Sequence, residues 1–306
     1  MLALEGSRRS IASGRIEWSS RVPGSQTQPL LFVSRYARNG DLIVEQRGND
    51  DGWTVFDGAG TGISRAPQLH MINEMGVWYH QETSVSCRWS ENGPQQRGSE
   101  RRYRGLYDVR AAGIAPSWTT LFYARGLAAL WPPAEDPVTE WRQEQYEDYF
   151  IVRGKQRSGA TTTWYINAER GWNAERITLE FQGALVREVR CALRKFGDSW
   201  FPEEVRYYEN GNLENTITVL AAELNRETDS PRFTLSDLGV EPGSSIERRS
   251  QGQQRTPREE SLQRPTWNGE RIITFGEWLD GVKAGVWQWG PNHNRIFGKS
   301  TTRTRM

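Results

Sequence analysis

From Thr161 to Val240, hydrophobic and polar positions alternate with little interruption. Ile177, Leu179 and Phe181 fall on one face of a strand, and Thr178, Glu180 and Gln182 fall on the other. Each run ends in turn chemistry, at Glu169-Arg170-Gly171, Gln182-Gly183, Phe196-Gly197-Asp198 and Glu209-Asn210-Gly211-Asn212. A period of two punctuated by Gly or Asn-Gly is the strongest local signal for hairpins. The pattern predicts an antiparallel meander that begins near Tyr146–Arg153, turns over 154–160 and runs to about Leu224. Consecutive hairpins build one broad, curved sheet with an apolar face that must be covered or used.

Other segments read as parts around that sheet. Residues 1–13 suit a short helix, followed by strands at Gly14–Val22, Leu30–Ala37 and Asp41–Arg47, the last two joined by Arg38-Asn39-Gly40. A strand is expected at Trp53–Asp57, irregular or partly helical chain over 58–75, and strands again at Val77–His80 and Ser84–Trp89. A polar Gly/Pro/Arg loop over 91–105 is expected to be mobile. Trp118–Leu130 has helical spacing through Leu121, Phe122, Arg125, Leu127 and Leu130, and Trp131-Pro132-Pro133 ends it. Thr274-Phe275-Gly276-Glu277 has capping-box spacing, which predicts a short helix to Ala284 stopped by Gly285. So short a helix needs a surface, and Phe275, Trp278, Leu279 and Val282 are its docking face on the sheet. The domain organisation read from these features is a main domain over 1–242, a Ser/Gln/Arg/Glu-rich linker or exposed loop over 243–265, and a C-terminal helix with a Trp-rich basic tail over 266–306.

Composition narrows the function classes. Among 306 residues, 39 Lys+Arg stand against 38 Asp+Glu, a net charge of +1 that gives no pull towards nucleic acid. Fourteen Trp, ten Tyr and ten Phe, with few aliphatic runs, suit strands that are wet on one face and packed with rings on the other. No apolar run is long enough for a spanning helix, and the first residues hold no apolar core of signal-peptide length. The cysteines, Cys87 and Cys191, lie in separate predicted strands and read as buried thiols, with a disulfide between them the lesser alternative.

A search for catalytic chemistry finds little. His70, His80 and His293 share no metal-binding spacing, so no metal or other cofactor is expected. Nucleophile motifs are absent, and Gly58-Ala59-Gly60-Thr61-Gly62 lacks the lysine of a phosphate loop. Glu203-Glu204 and Glu147-Asp148 are adjacent pairs that a strand would point to opposite faces, the wrong geometry for paired acid catalysis. Trp18, Trp53, Trp78, Trp89, Trp164, Trp172 and Trp200 lie on or beside strands; core packing, a sugar platform and the lining of an apolar cleft are all open to them.

Trp164-Tyr165-Ile166-Asn167-Ala168-Glu169-Arg170-Gly171-Trp172, the strand pair from Lys195 to Val205 (KFGDSWFPEEV) and the closing segment Phe233–Val240 resemble the LolA/LolB-like superfamily of outer-membrane lipoprotein-sorting proteins. More closely, the chain resembles large bacterial envelope proteins related to it, best over about 161–240, over 14–90 by strand pattern only, with 244–306 as an extension. The resemblance implies a mainly β (α+β) fold, a strongly curved antiparallel sheet forming an unclosed half-barrel with helices covering its concave face. Trp118–Leu130 and Phe275–Ala284 are the candidate covers. It also implies a non-catalytic carrier in the periplasm or cell envelope whose partners are lipid or lipoprotein acyl chains. The cleft candidates on that reading are Leu179, Phe181, Val189, Leu193, Trp164, Trp200 and Phe122. The alternative is an envelope protein-interaction or stress-sensing module on the same fold, with an exposed apolar patch around Trp278, Trp287 and Trp289 for an envelope protein partner.

Overall fold

The computed structural model describes residues 2–24, 29–39, 41–47, 53–54, 63–64, 68–73, 76–81, 84–89, 109–114, 116, 137–226, 232–248, 262–263 and 265–288. They belong to two compact units, Met1–Pro67 with Gln95–Arg232, and Gln68–Pro94 with Phe233–Met306. In chain order the elements are α1 (Leu2–Arg9), β1 (Gly14–Arg21), β2 (Leu30–Tyr36), β3 (Leu42–Arg47), β4 (Trp53–Thr54), β5 (Ile63–Ser64), β6 (Gln68–Asn73), β7 (Gly76–Gln81) and β8 (Ser84–Trp89). A 3-10 turn at Val109–Ala111 comes next. There follow β9 (Val138–Tyr146), β10 (Tyr149–Gln156), β11 (Thr161–Asn167), β12 (Asn173–Phe181), β13 (Ala184–Phe196), β14 (Ser199–Glu209), β15 (Asn212–Leu224), β16 (Ile246–Arg248), β17 (Pro265–Trp267), β18 (Ile272–Thr274) and α2 (Phe275–Lys283).

The first unit is built on ten antiparallel strands in the order β3-β2-β1-β15-β14-β13-β12-β11-β10-β9, an unclosed sheet. Two meanders, β1 to β3 and β9 to β15, meet where β15 pairs with β1. Turn chemistry accounts for the hairpins: Gln182-Gly183 and Asn210-Gly211 both put two successive residues at positive φ (52° and 78°, 48° and 79°), as a two-residue hairpin turn demands. The register slips at six places, including Tyr165/Ile166, Leu179/Glu180 and Ala192/Leu193, and bulges of this kind bend and twist strands.

One face of this sheet is the core. Val152, Trp164, Ile177, Val189 and Tyr207 are successive cross-strand neighbours, and all are buried. Towards the other end of the sheet, Trp18 stacks on Phe32 (4.2 Å, 16°), and its indole N–H donates to Ser34 Oγ at 2.9 Å. The segment 109–114 lies on the same face. Arg110 sits 4.1 Å over the Tyr36 ring and donates to the Ile11 carbonyl at 3.2 Å, while the Trp164 indole donates to the Ile114 carbonyl at 3.0 Å. Buried Arg8 of α1 lies 4.7 Å over the Phe201 ring. Asn225, at φ 54°, ties the end of β15 to the α1–β1 junction. Its Oδ1 accepts from the Ala12 and Ser13 amides at 2.9 and 3.3 Å, and its Nδ2 donates to the Ser10 carbonyl at 2.8 Å.

The opposite face is wet and ionic. Arg176, Arg190 and Arg206 are direct cross-strand neighbours, an arrangement of like charge that costs stability unless acids intervene. Glu188 supplies the bridge, at 2.7 Å from Arg176 and 2.9 Å from Arg190, and Glu204 pairs with Arg206 at 2.8 Å. Burial pushes the Glu188 carboxyl up, but the hydrogen bonds from Arg190 and Arg176 outweigh it and hold the group below its ordinary value.

In the second unit β6, β7 and β8 form a meander, with β16 parallel to β8, and β17 pairs with β18. α2 has the capping box that the sequence predicts: the Glu277 amide donates to Thr274 Oγ1 (3.1 Å) and the Thr274 amide to Glu277 Oε2 (2.8 Å). Gly285, at φ 72°, ends the helix, with Gly285 N donating to the Val282 carbonyl and Val286 N to the Gly281 carbonyl, a Schellman motif. Ile273, Phe275 and Trp278 form its core with Leu279, Val282 and Trp287 packed around them.

Several expectations change. β9 is a full strand where the sequence reading began the meander only at Tyr146, because eight of its nine residues are exposed and its alternation is almost entirely polar. Glu147-Asp148 therefore sits in the loop between β9 and β10, not on a strand. β5 and β6 occupy part of 58–75, which reads as irregular or helical, and of the expected Trp53–Asp57 strand Trp53 and Thr54 are described, as β4. Trp278 is fully buried, so the exposed patch expected around it does not form there: it stacks on half-buried Trp287 (5.1 Å, 4°), whose ring fills the space a side chain at Gly281 would need. Trp289, the Trp118–Leu130 helix with Phe122, and the 91–105 loop lie outside the described residues.

Candidate functional site

The candidate residues divide by strand position. Trp164 and Val189 are 0% exposed and sit in the central buried row, with Ile177 between them. Leu179, two residues along β12 from Ile177, pairs with Thr162 and Arg187 and is half-buried. Phe181 follows on the same face at the end of β12 and is 42% exposed. Leu193 and Trp200 are elsewhere: Leu193 is half-buried opposite Pro202, and Trp200 is half-buried opposite Lys195, with its side chain against Gly171 and Arg170 5.8 Å over its ring. Leu179 and Phe181 thus continue the apolar face beyond the row of Trp164 and Val189, while Leu193 and Trp200 belong to the β13–β14 hairpin.

One residue that the sequence reading passed over completes this end of the face. Trp141 of β9 is 46% exposed, yet its ring lies over Gly154 and reaches Trp164 (5.9 Å between centroids). Gly154 makes this possible, since a Cβ there would stand 3.1 Å from the Trp141 ring. The cross-strand row is Trp141, Gly154, Thr162, Leu179 and Arg187, and Arg187 pairs with Glu209 at 2.9 Å. Thr162 is fully buried, and its hydroxyl has no hydrogen-bond partner among the described residues. The row runs from a half-exposed indole through small residues to an aliphatic side chain and an ion pair. The signal for Trp141 is an aromatic in a polar stretch, three positions after the strand starts at Val138.

The motif Trp164–Trp172 is a structural brace. Asn167 Oδ1 accepts from the Arg170 amide (3.1 Å), Trp172 packs on Phe150 (4.9 Å), and Asn173 Nδ2 donates to the carbonyls of Arg170 (2.8 Å) and Trp200 (3.2 Å). Beside it, the Tyr149 hydroxyl donates to Glu175, which raises the Tyr149 pKa, while Asn167 and Arg170 hold the other carboxylate oxygen. Cys191 is a free, buried thiol, pushed up to about 12 by burial. The side chain of Cys87, in β8, lies outside the described ones. Among the described residues no group of three or more His, Cys, Asp or Glu could hold a metal ion, and no helix is long and apolar enough to cross a membrane.

No family model and no curated protein matches the chain. Among solved structures it is similar to a domain described as an outer-membrane lipoprotein-sorting protein from Vibrio parahaemolyticus, at 11% identity and TM-score 0.43, over 78% of this chain and 98% of that one. It is similar to a DUF1329 family protein from Desulfovibrio piger at 11% identity and TM-score 0.41, over 77% of this chain and 99% of that one. A third similar structure is a LolA superfamily protein from Nitrosomonas europaea, at 8% identity and TM-score 0.36, over 74% of this chain and 95% of that one.

Proposed function

We propose that the chain is a non-catalytic binder of lipid or lipoprotein acyl chains in the bacterial periplasm or cell envelope, and that the apolar sheet face beside Trp141 takes the chain. The observation that carries this reading is the half-exposed apolar end of a buried face: Trp141, Leu179 and Phe181 continue the row of Trp164, Ile177 and Val189 towards solvent. A curved half-barrel with covering helices is the architecture that would turn this face into a cleft. Burying one methylene is worth about 0.8 kcal/mol, so each carbon added to a fitting chain tightens binding about fourfold.

The test is a series of saturated fatty acids of increasing length, with bromine-labelled chains to quench indole emission. The expected outcome is a Kd that falls with chain length, quenching that Trp141→Ala reduces, and lipid recovered by mass spectrometry from protein made in a bacterial envelope. No quenching at any length, together with no recovered lipid, would sink the reading.

A further inference from the structure

β9 forms one end of the ten-stranded sheet, and every residue from Thr139 to Tyr146 is exposed, with Tyr146 at 63%. The two-residue loop Glu147-Asp148 closes on the pair Tyr146–Tyr149. A two-residue loop closes on a hydrogen-bonded pair, and hydrogen-bonded and non-hydrogen-bonded positions then alternate along the ladder. The amides and carbonyls of Tyr146, Glu144, Arg142 and Glu140 therefore face β10. Those of Gln145, Gln143 and Trp141 face outward, and among the described residues no strand pairs with them. A run of unpaired backbone groups on a long edge is a template for another strand. Natural edges are commonly blunted by proline, lysine or a central bulge; β9 has neither residue, and its one register slip lies at the Thr139 end.

We infer that β9 is a homodimerisation edge, pairing antiparallel with β9 of a second copy about a two-fold axis at Gln143. The charges select this register. With the axis at Gln143, Gln143 bonds its symmetry mate, and Trp141 and Gln145 bond each other's counterparts, so all six outward groups are used. The positions between them then set Arg142 opposite Glu144 of the second copy, twice. Moving the axis to Arg142 places Arg142 opposite itself and Glu140 opposite Glu144, which is repulsive. Moving it to Trp141 leaves Gln145 unpaired and draws in Thr139 at the slip. The contact adds a strand to each sheet edge, so its affinity comes from main-chain bonds and its register from side-chain charge.

Sedimentation equilibrium of the full chain from micromolar to millimolar concentration tests this. Wild type should show a monomer–dimer equilibrium. Gln143→Pro removes an amide that β10 does not use, so circular dichroism should be unchanged and the dimer lost. Within its own chain Arg142 pairs with Glu140 and Glu144 with Arg153, so Arg142→Glu and Glu144→Arg should each weaken dimerisation about tenfold or more, and the double charge swap should bind about tenfold tighter than either single variant. The charge swap decides the question without a proline, should that variant fold poorly. A wild type that stays monomeric throughout, a Gln143→Pro dimer of unchanged affinity, or a double swap no tighter than its single variants would overturn the inference. Lipid binding plays no part in this test, so its outcome is independent of the acyl-chain reading.

Discussion

Gly113 is the position at which the smallest substitution should do the most damage. It holds φ at +70°, and a Cβ there would lie 2.5 Å from Cys191 Sγ, 3.7 Å from Val205 Cγ2 and 3.8 Å from Arg8 Nη2, all in the buried face. Gly113→Ala carries two costs. A side chain in the left-handed region costs about 1–2 kcal/mol. Forcing a methyl group into a filled core costs about 1–3 kcal/mol more. The segment cannot retreat cheaply, because the Gly113 amide donates to Tyr207 Oη at 3.2 Å and the next carbonyl receives the Trp164 indole. Orphaning either buried group costs about 1–3 kcal/mol, so the expected destabilisation is about 2–5 kcal/mol. Cys191→Ala removes the atom that the new methyl strikes. The double variant should therefore be more stable than the sum of the single losses by about 1–3 kcal/mol, leaving the backbone cost in place. The assay is native-state hydrogen exchange of the β13 and β14 amides, which report the opening of this unit alone. A loss below about 1 kcal/mol for Gly113→Ala, or strict additivity with Cys191→Ala, would refute the packing argument.

Asn225→Ala removes three side-chain hydrogen bonds to the α1–β1 junction and leaves alanine at positive φ, so it should cost about 2–3 kcal/mol, and Asn225→Gly about 1 kcal/mol less; hydrogen exchange at the Ala12 and Ser13 amides reads both. If glycine and alanine prove equally costly, backbone strain is not part of Asn225's role. In a Cys87→Ser background, Cys191 should be inert to thiol reagents at about pH 8 in the native state and react only at the rate of unfolding. Burial raises this thiol from 9.0 to about 12, so its neutral form favours the fold; that contribution is complete below 9.0 and is lost as pH rises towards 12. Cys191→Ala should accordingly lose stability less steeply than wild type across that alkaline window, measured by urea unfolding.

The fold was legible where a strand has a dry side. β11 to β15 alternate because one face is buried, and each of their turns has a glycine at positive φ, two of them as Gln182-Gly183 and Asn210-Gly211. β9 was not legible, because an end strand with eight of its nine residues exposed can be polar at nearly every position. α2 was legible from local chemistry, since its cap and its stop are made by residues within one turn of its ends. The candidate site was harder to read. Trp164 and Trp200 occupy similar alternating strands, yet Trp164 is buried by a carbonyl fifty residues earlier in the chain, and Trp200 is half-exposed beside a turn. No local pattern encodes that difference, because the partner at Ile114 is fixed by tertiary packing.

The residues that carry the family resemblance are accounted for by the fold. Asn167, Gly171 and Asn173 shape the β11–β12 turn and fasten it to Trp200 on the neighbouring hairpin, while Trp164 and Ile166 fill the core. Residues spent in this way report a sheet and say nothing about a ligand. Function is better sought where the fold asks for nothing. Five polar residues of β9, Glu140 and Arg142 to Gln145, pair with β10, so the backbone ladder alone does not call for an indole at 141. A half-exposed tryptophan on an end strand instead adds association risk and buries little. Its ring nonetheless packs beside a glycine and lies 5.9 Å from the core indole, with Leu179 and Phe181 following on the same face. An apolar surface left half-exposed at the end of a buried face is the strongest physical reason to look for an acyl chain there.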